Sequence, residues 1–181
     1  MLNALQKHKV LRHNNGVVGC ESVLNMAFTL ASDWDLSVAN RQGQRVLGVE
    51  VKRKIEASPA WAARLRQNIL AHGTFPKTPY FMMVFPDRLY LWARDEAQLD
   101  RSEPTYTIDA RPILQPYFER ADVTAEQISK QNLELIVAAW LGEMLHAAQP
   151  PDTMGVSQSW LMDSGLYDAL AGGSFEYGSA A

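Results

Sequence analysis

Three polar side chains near the middle of the chain, Asp35, Glu50 and Lys52, have the types and the spacing of a metal-dependent hydrolytic site. Two carboxylates on directly opposed strand positions repel each other, because their Cβ atoms are only about 5 Å apart. Mg²⁺ or Mn²⁺ relieves this repulsion, since carboxylate oxygens are preferred ligands of hard cations. Lys52 follows Glu50 by two residues and points to the same side of the strand. Its ammonium could hold an attacking water or offset charge on a phosphoryl group.

The two acids face each other only if the segments that carry them form a hairpin. Residues 33–41 and 44–52 both alternate with a period of two, which indicates half-buried strands. A two-residue turn at Gln42-Gly43 pairs Arg41 with Gln44 and makes one face of the hairpin uniformly apolar. This register places Asp35 opposite Glu50.

The pattern leaves two alternatives open. The same register places Asp33 opposite Lys52, so the choice between Asp33 and Asp35 as the ligand depends on the inferred pairing. A plain surface hairpin with solvated charges also fits the pattern, because exposed ion pairs contribute little to stability.

The surrounding elements predict a single α/β or α+β sandwich with a central mixed sheet flanked by helices. Ser58 and Pro59 are typical of a helix start, as N-cap and first helical residue. The apolar run from Tyr80 to Phe85 predicts a central strand that is covered on both faces. Helices are predicted over residues 16–31, 58–71, 124–148 and 157–170, further strands over 88–92 and 106–108, and a short helical turn over 113–118.

The long helix at 124–148 is expected to begin with a capping box, Thr124-x-x-Gln127. Its middle, residues 135–141, is apolar nearly all round, which indicates burial in the domain or contact with a second copy or a protein partner. Residues 149–181 are expected to form a short helical extension with a frayed, glycine-rich end.

Composition and charge bound the function class. Residues 1–94 carry 13 Lys/Arg and 6 Asp/Glu, a net charge of +7, whereas residues 95–181 carry 4 and 14, a net charge of −10. Such a division favours one face that attracts a polyanion. The single cysteine, Cys20, excludes an internal disulfide framework. The longest apolar run is far too short to span a bilayer, so no membrane partner is expected. The first residues lack the apolar region of a secretory signal, and we therefore expect a cytoplasmic protein.

The segments Asp33-Trp-Asp35-Leu-Ser-Val and Val46-Leu-Gly-Val-Glu50-Val-Lys52 resemble the PD-(D/E)XK phosphodiesterase superfamily. Its members share the restriction-endonuclease-like fold, whose core order of helix, three strands, helix and strand is close to that predicted for residues 16–92. The resemblance covers about half of the chain, and residues 95–181 have no counterpart. The chain departs from the family at the Pro-Asp pair, where it has Ser32-Asp33 or Trp34-Asp35 instead.

The resemblance implies roles for individual residues. Asp35 and Glu50 would bind Mg²⁺ or Mn²⁺ together with the main-chain carbonyl of Val51, and Lys52 would be the catalytic lysine. Glu21 would match an acid that some members add from the first helix. Gln67 would match a polar residue that some members use near the site.

Basic residues around this motif predict a nucleic-acid-binding face, because phosphate contacts supply most sequence-independent affinity. Those assigned to it, with Gln67, are Arg41, Arg53, Lys54 and Arg64. The first hypothesis is therefore a Mg²⁺-dependent endonuclease that acts on DNA, with RNA as an alternative substrate. The second is an inactive module of the same fold that binds nucleic acid or a protein, and the third is a purely structural domain.

Overall fold

The computed structural model describes residues 34–72, 77–93, 103–147 and 158–176. Within these ranges the chain forms one six-stranded mixed sheet with helices on both faces, which confirms the predicted α/β class with a central mixed sheet flanked by helices. The strands are β1 (Leu36–Ala39), β2 (Arg45–Val51), β3 (Tyr80–Val84), β4 (Arg88–Ala93), β5 (Tyr106–Asp109) and β6 (Ser174–Phe175). The helices are α1 (Pro59–His72), α2 (Arg111–Arg120), α3 (Lys130–His146), α4 (Ser159–Asp163) and α5 (Leu166–Leu170).

The sheet has the strand order β5-β4-β3-β2-β1-β6. Strands β2 and β3 are parallel neighbours, and every other neighbouring pair is antiparallel. A parallel pair needs a crossover connection, which α1 supplies here. The carboxyl ends of β2 and β3, at Val51 and Val84, consequently lie at the same edge of the sheet.

Strand β3 is buried on both faces, as its apolar sequence predicts. Phe81 and Met83 pack in the cluster that α1 covers, whereas Tyr80 and Met82 pack in the larger cluster on the opposite face. All four are at most 4% exposed. The neighbouring strands alternate in the same way, so each face of the sheet has its own apolar core.

The hairpin keeps the predicted pairing along its strands and departs from it at the turn. Leu36 pairs with Val49 and Val38 with Leu47, as expected, but the register then shifts by one residue. The predicted pairing of Arg41 with Gln44 is wrong, because the loop holds three residues, 41–43.

Asn40 and Gly43 explain the longer turn. The Asn40 side chain accepts hydrogen bonds from the main-chain N–H of Gln42 and of Gln44, both at 3.0 Å. Gly43 has a φ of 74°, a conformation that costs little for glycine and closes a three-residue hairpin loop. A side chain that replaces main-chain partners in this way favours the longer loop over the two-residue turn.

Helix α1 begins as predicted, since the Ser58 hydroxyl accepts a hydrogen bond from the Trp61 N–H at 3.2 Å. Helix α3 begins later than predicted. Its N-cap is Ser129, whose side chain accepts from the Asn132 N–H, and the predicted capping box at Thr124 is wrong because residues 124–129 form a turn before the helix. The expected helical turn at 113–118 is a full ten-residue helix, α2.

The described part of the C-terminal segment is built into the domain. The predicted helix at 157–170 is two short helices, α4 and α5, because Gly165 between them has a φ of 75°. Trp160, Leu161 and Leu166 are buried in the larger core cluster. Ser174 belongs to the stretch expected to fray, but it pairs with β1 together with Phe175 as β6. Residues 158–176 therefore belong to the sheet-centred core and do not form an appendage.

The predicted helix at 16–31, with Cys20 and Glu21, lies outside the described residues. Of the helices that the structure describes, none combines the length and apolarity that a membrane crossing requires.

Candidate active site

Asp35 and Glu50 come together at the edge where the parallel strands β2 and β3 end. The register of the hairpin continues from the Leu36–Val49 pair to place Asp35 opposite Glu50. In open α/β sheets, ligands bind beyond the carboxyl ends of the strands. The arrangement therefore puts both carboxylates where such folds have their functional sites.

The main chain of β2 fixes Asp35 in place. Asp35 Oδ2 accepts a hydrogen bond from the Val51 N–H at 2.7 Å. The next residue, Lys52, donates its N–H to Val84 on β3, so the main-chain groups of Val51 face the β1 side. Because the N–H and C=O of an extended residue point to the same neighbouring strand, the Val51 carbonyl faces the Asp35 side as well.

Lys52 lies between the two carboxylates. Its Nζ is 2.5 Å from Glu50 Oε2 and 3.8 Å from Asp35 Oδ2. Lys52 is thus within ion-pair distance of both carboxylates that the sequence singles out. Asp35 is the aspartate that the described residues place beside Glu50, and Asp33 lies outside them.

Burial makes Glu50 the unusual member of this group. The residue is 6% exposed, and desolvation raises the pKa of its carboxyl above the ordinary value, with the nearby Asp35 adding to the rise. The hydrogen bond and charge of Lys52 act in the opposite direction and keep that rise smaller. A second positive charge at the pair would stabilise the ionised form of Glu50 further.

Lys130, the first residue of α3, is a site residue that sequence reasoning missed. Its Nζ is 2.6 Å from Asp35 Oδ1 and 3.0 Å from Glu134 Oε1. Burial lowers the pKa of Lys130, but the hydrogen bonds to Asp35 and Glu134 outweigh this and leave the pKa raised. Asp35 and Lys130 are 95 residues apart, and no local pattern links them.

The oxygen donors fit Mg²⁺ or Mn²⁺. Asp35 and Glu50 offer two carboxylates, and Val51 offers a carbonyl on the same side, which is the kind of donor set that these hard ions prefer. Among the residues that the structure describes, no group of three or more His, Cys, Asp and Glu side chains could hold a metal. A metal here would consequently keep several waters, as Mg²⁺ commonly does.

Two of the predicted nucleic-acid-binding residues lie next to the site. Arg53 and Lys54 directly follow Lys52 in an exposed loop. A hydrogen bond from the Glu56 N–H to the Asp87 carboxylate, at 3.2 Å, anchors this loop. Lys54 Nζ lies 5.3 Å from the centre of the Trp61 ring, so α1 supports its side chain.

The remaining predicted residues are more scattered. Arg64 is exposed and Gln67 half-buried on α1, and within the described part of the chain no hydrogen bond or ion pair joins either to the carboxylates. Arg41 is at the hairpin tip, where its guanidinium packs against Gly172. Arg45, at the start of β2, is already five residues or about 17 Å along the strand from Glu50. The placement of Arg41 next to the site is therefore wrong.

A groove of about 760 Å³ lies between α2 and α3, apart from the carboxylates. Tyr117, Trp140 and Met144 line it, and the Tyr117 hydroxyl donates to Glu143 at 2.6 Å. Leu135, on the expected interaction helix, is 54% exposed, although most apolar residues of α3 are buried in the core.

Comparison with known proteins gives no family for the chain. No protein-family model matches it, and neither the curated proteins nor the solved structures contain a detectable relative. The geometry of the site and the resemblance of its motif are therefore the observations that bear on function.

Proposed function

We propose that the chain is a metal-dependent phosphodiesterase of the PD-(D/E)XK type that hydrolyses the DNA backbone. The observation that carries this proposal is the meeting of Asp35, Glu50 and Lys52 at the carboxyl edge of the parallel strand pair. The order of α1 between β2 and β3 agrees with the restriction-endonuclease-like core. The basic loop beside the site supports an anionic substrate.

In this function Asp35, Glu50 and the Val51 carbonyl would hold one Mg²⁺ or Mn²⁺. A bound ion of this kind supplies Lewis-acid stabilisation of the phosphoryl oxygens and a water of lowered pKa. Lys52, released from part of its contact with the carboxylates, would place its ammonium beside the scissile phosphate. There it would orient the attacking water and offset the negative charge that develops on the phosphoryl oxygens.

Arg53 and Lys54 would position the nucleic-acid backbone. Both side chains are exposed and follow Lys52 directly, so a phosphate held by them lies near the catalytic lysine. Contacts of this kind are sequence-independent and sensitive to salt. The overall charge of −3 argues against tight coating of DNA and favours recognition of substrate shape or help from a partner.

The test is a cleavage assay on duplex, branched and single-stranded DNA and on RNA, with Mg²⁺, Mn²⁺ or EDTA. Lys52→Ala and Glu50→Ala should each lower the rate by about 10²-fold or more, the scale of losing a group that stabilises developing charge. Lys77→Ala is the matched control, because this exposed lysine precedes β3 at the opposite edge of the sheet. Wild-type rates in the Lys52 variant would refute the mechanism, and cleavage of RNA alone would reassign the substrate.

The second candidate is an inactive module of the same fold. It is favoured by one observation, that Asp35 and Glu50 already have ammonium partners in Lys52 and Lys130. This candidate predicts no cleavage in any arm of the assay and nucleic-acid or protein binding that does not depend on divalent ions.

A further inference from the structure

Lys130 occupies an electrostatically unfavourable position. It is the first helical residue of α3, and the helix dipole disfavours a cation at an N-terminus. Its ammonium nevertheless points to Asp35 Oδ1 at 2.6 Å, and it supplies the second lysine contact of this carboxylate. The ion pair with Asp35 thus accounts for a lysine at a position where the helix alone favours an acid.

Glu134 gives Lys130 an alternative partner. It lies one turn further along α3, and its Oε1 is 3.0 Å from Lys130 Nζ. Pairs separated by four residues on one helix stay adjacent whatever the rest of the site does. Lys130 can therefore leave Asp35 without losing its last ion pair, and its side chain, 47% exposed, has room to move.

Both oxygens of the Asp35 carboxylate already have a partner in the metal-free protein. The Val51 N–H and Lys52 lie at Oδ2, and Lys130 lies at Oδ1. Removing a charge-assisted hydrogen bond from an occupied oxygen costs free energy, and that cost is subtracted from the affinity of an incoming ion. Metal binding at this site is consequently an exchange of cations.

On this basis, and on the proposed function, we propose that Lys130 is a resident cation that a divalent ion must displace from Asp35, and that Glu134 retains the displaced ammonium. Lys130 is a positioning residue in this scheme, since it acts through Asp35. It lowers the affinity of the site for divalent ions and thereby sets the concentration at which the site is loaded.

Calorimetric titration of the metal-free full chain with MnCl₂ tests the exchange without any cleavage step. Lys130→Met should bind Mn²⁺ about tenfold more tightly than wild type, which corresponds to ~1.4 kcal/mol. Lys130→Arg keeps the charge and should stay near the wild-type value. Lys77→Met, the same substitution at an exposed lysine beyond the opposite edge, controls for net charge.

A double-mutant cycle separates exchange from simple charge effects. Glu134→Gln removes the alternative partner and should weaken Mn²⁺ binding about threefold in the wild-type background, the scale of one such helical ion pair. In the Lys130→Met background the same change should have no effect, because no ammonium needs a partner. Equal weakening in both backgrounds would mean that Glu134 acts by long-range charge and would overturn the exchange.

The outcomes distinguish this inference from the proposed function. Equal Mn²⁺ affinity in wild type and Lys130→Met overturns the resident-cation role and leaves the phosphodiesterase standing. Absence of Mn²⁺ binding in both proteins overturns the inference and the metal-dependent function together. Lys130→Gln provides a second neutral variant if Lys130→Met does not give the native circular-dichroism spectrum.

Discussion

Lys52→Met should destabilise the metal-free protein by about 1–2 kcal/mol at neutral pH. The contact that it removes joins Lys52 Nζ to Glu50 Oε2 at 2.5 Å, and a hydrogen bond between charged groups contributes ~1.5–3 kcal/mol. The side chain of Lys52 is 28% exposed, so water already weakens its ion pair with Glu50. The lower end of this energy range therefore applies. Glu50, 6% exposed, keeps a buried charge without its nearest partner.

The deficit should grow as pH rises. The pKa of Glu50 is raised by burial and by Asp35, and Lys52 counteracts that rise, so the variant should raise it further. A carboxyl whose pKa is higher in the folded state stabilises the fold when protonated, and this contribution is lost as pH increases through the folded pKa. The difference between variant and wild type should therefore be smaller at about pH 5 than at about pH 8.

Urea denaturation followed by tryptophan fluorescence, in EDTA, measures both quantities. The double variant Glu50→Gln/Lys52→Met is the control, because a neutral amide leaves no unpaired charge buried at position 50. This variant should recover at least half of the lost stability at the higher pH. A deficit that is the same at both pH values, or that the second substitution leaves unchanged, would refute the electrostatic account of Glu50.

Two matched pairs give further predictions. Gly48→Ala should lower the free energy of unfolding by about 1–3 kcal/mol, since the new Cβ would lie 2.8 Å from Trp34 Nε1. Gly142→Ala in α3, where the nearest atom is 3.9 Å away, should raise it by up to ~1 kcal/mol. Urea denaturation measures both values, and equal effects would contradict the packing argument. Arg53→Ala should weaken binding to duplex DNA and reduce the slope of log affinity against log salt by about one, while Arg41→Ala should leave that slope unchanged, and the reverse result in a fluorescence-anisotropy titration would move the binding face to the hairpin tip.

Local pattern predicted much of the sheet. The alternation on both sides of the hairpin placed Leu36 opposite Val49, because a slip of one residue would have mixed polar and apolar side chains on each face. The apolar run at 80–85 predicted a central strand because a strand that is covered on both faces has no polar side. Ser58 predicted the start of α1 because its hydroxyl can satisfy a free N–H of the first turn.

The features that the sequence did not reveal arise from competition between alternative caps and turns, or from contacts between residues far apart along the chain. Ser129 caps α3 although Thr124 has the better motif, since residues 124–129 are used in a turn that brings the helix start to the sheet edge. Asn40 favours the longer hairpin loop because its side chain accepts two main-chain hydrogen bonds. The spacing of turn residues in the sequence does not reveal such bonds. Lys130 joins the site from 95 residues away, so only the folded chain could show it.

The two-residue strand β6 has a consequence for handling the protein. It pairs with β1, and the Glu176 N–H adds a further bond to the carbonyl of Ser37. Truncation after Gly173 would leave the outer side of β1 bare, and a bare strand recruits strands from other molecules. Truncated variants that lack β6 should therefore self-associate. Affinity tags should be attached beyond position 176 so that β6 stays paired with β1.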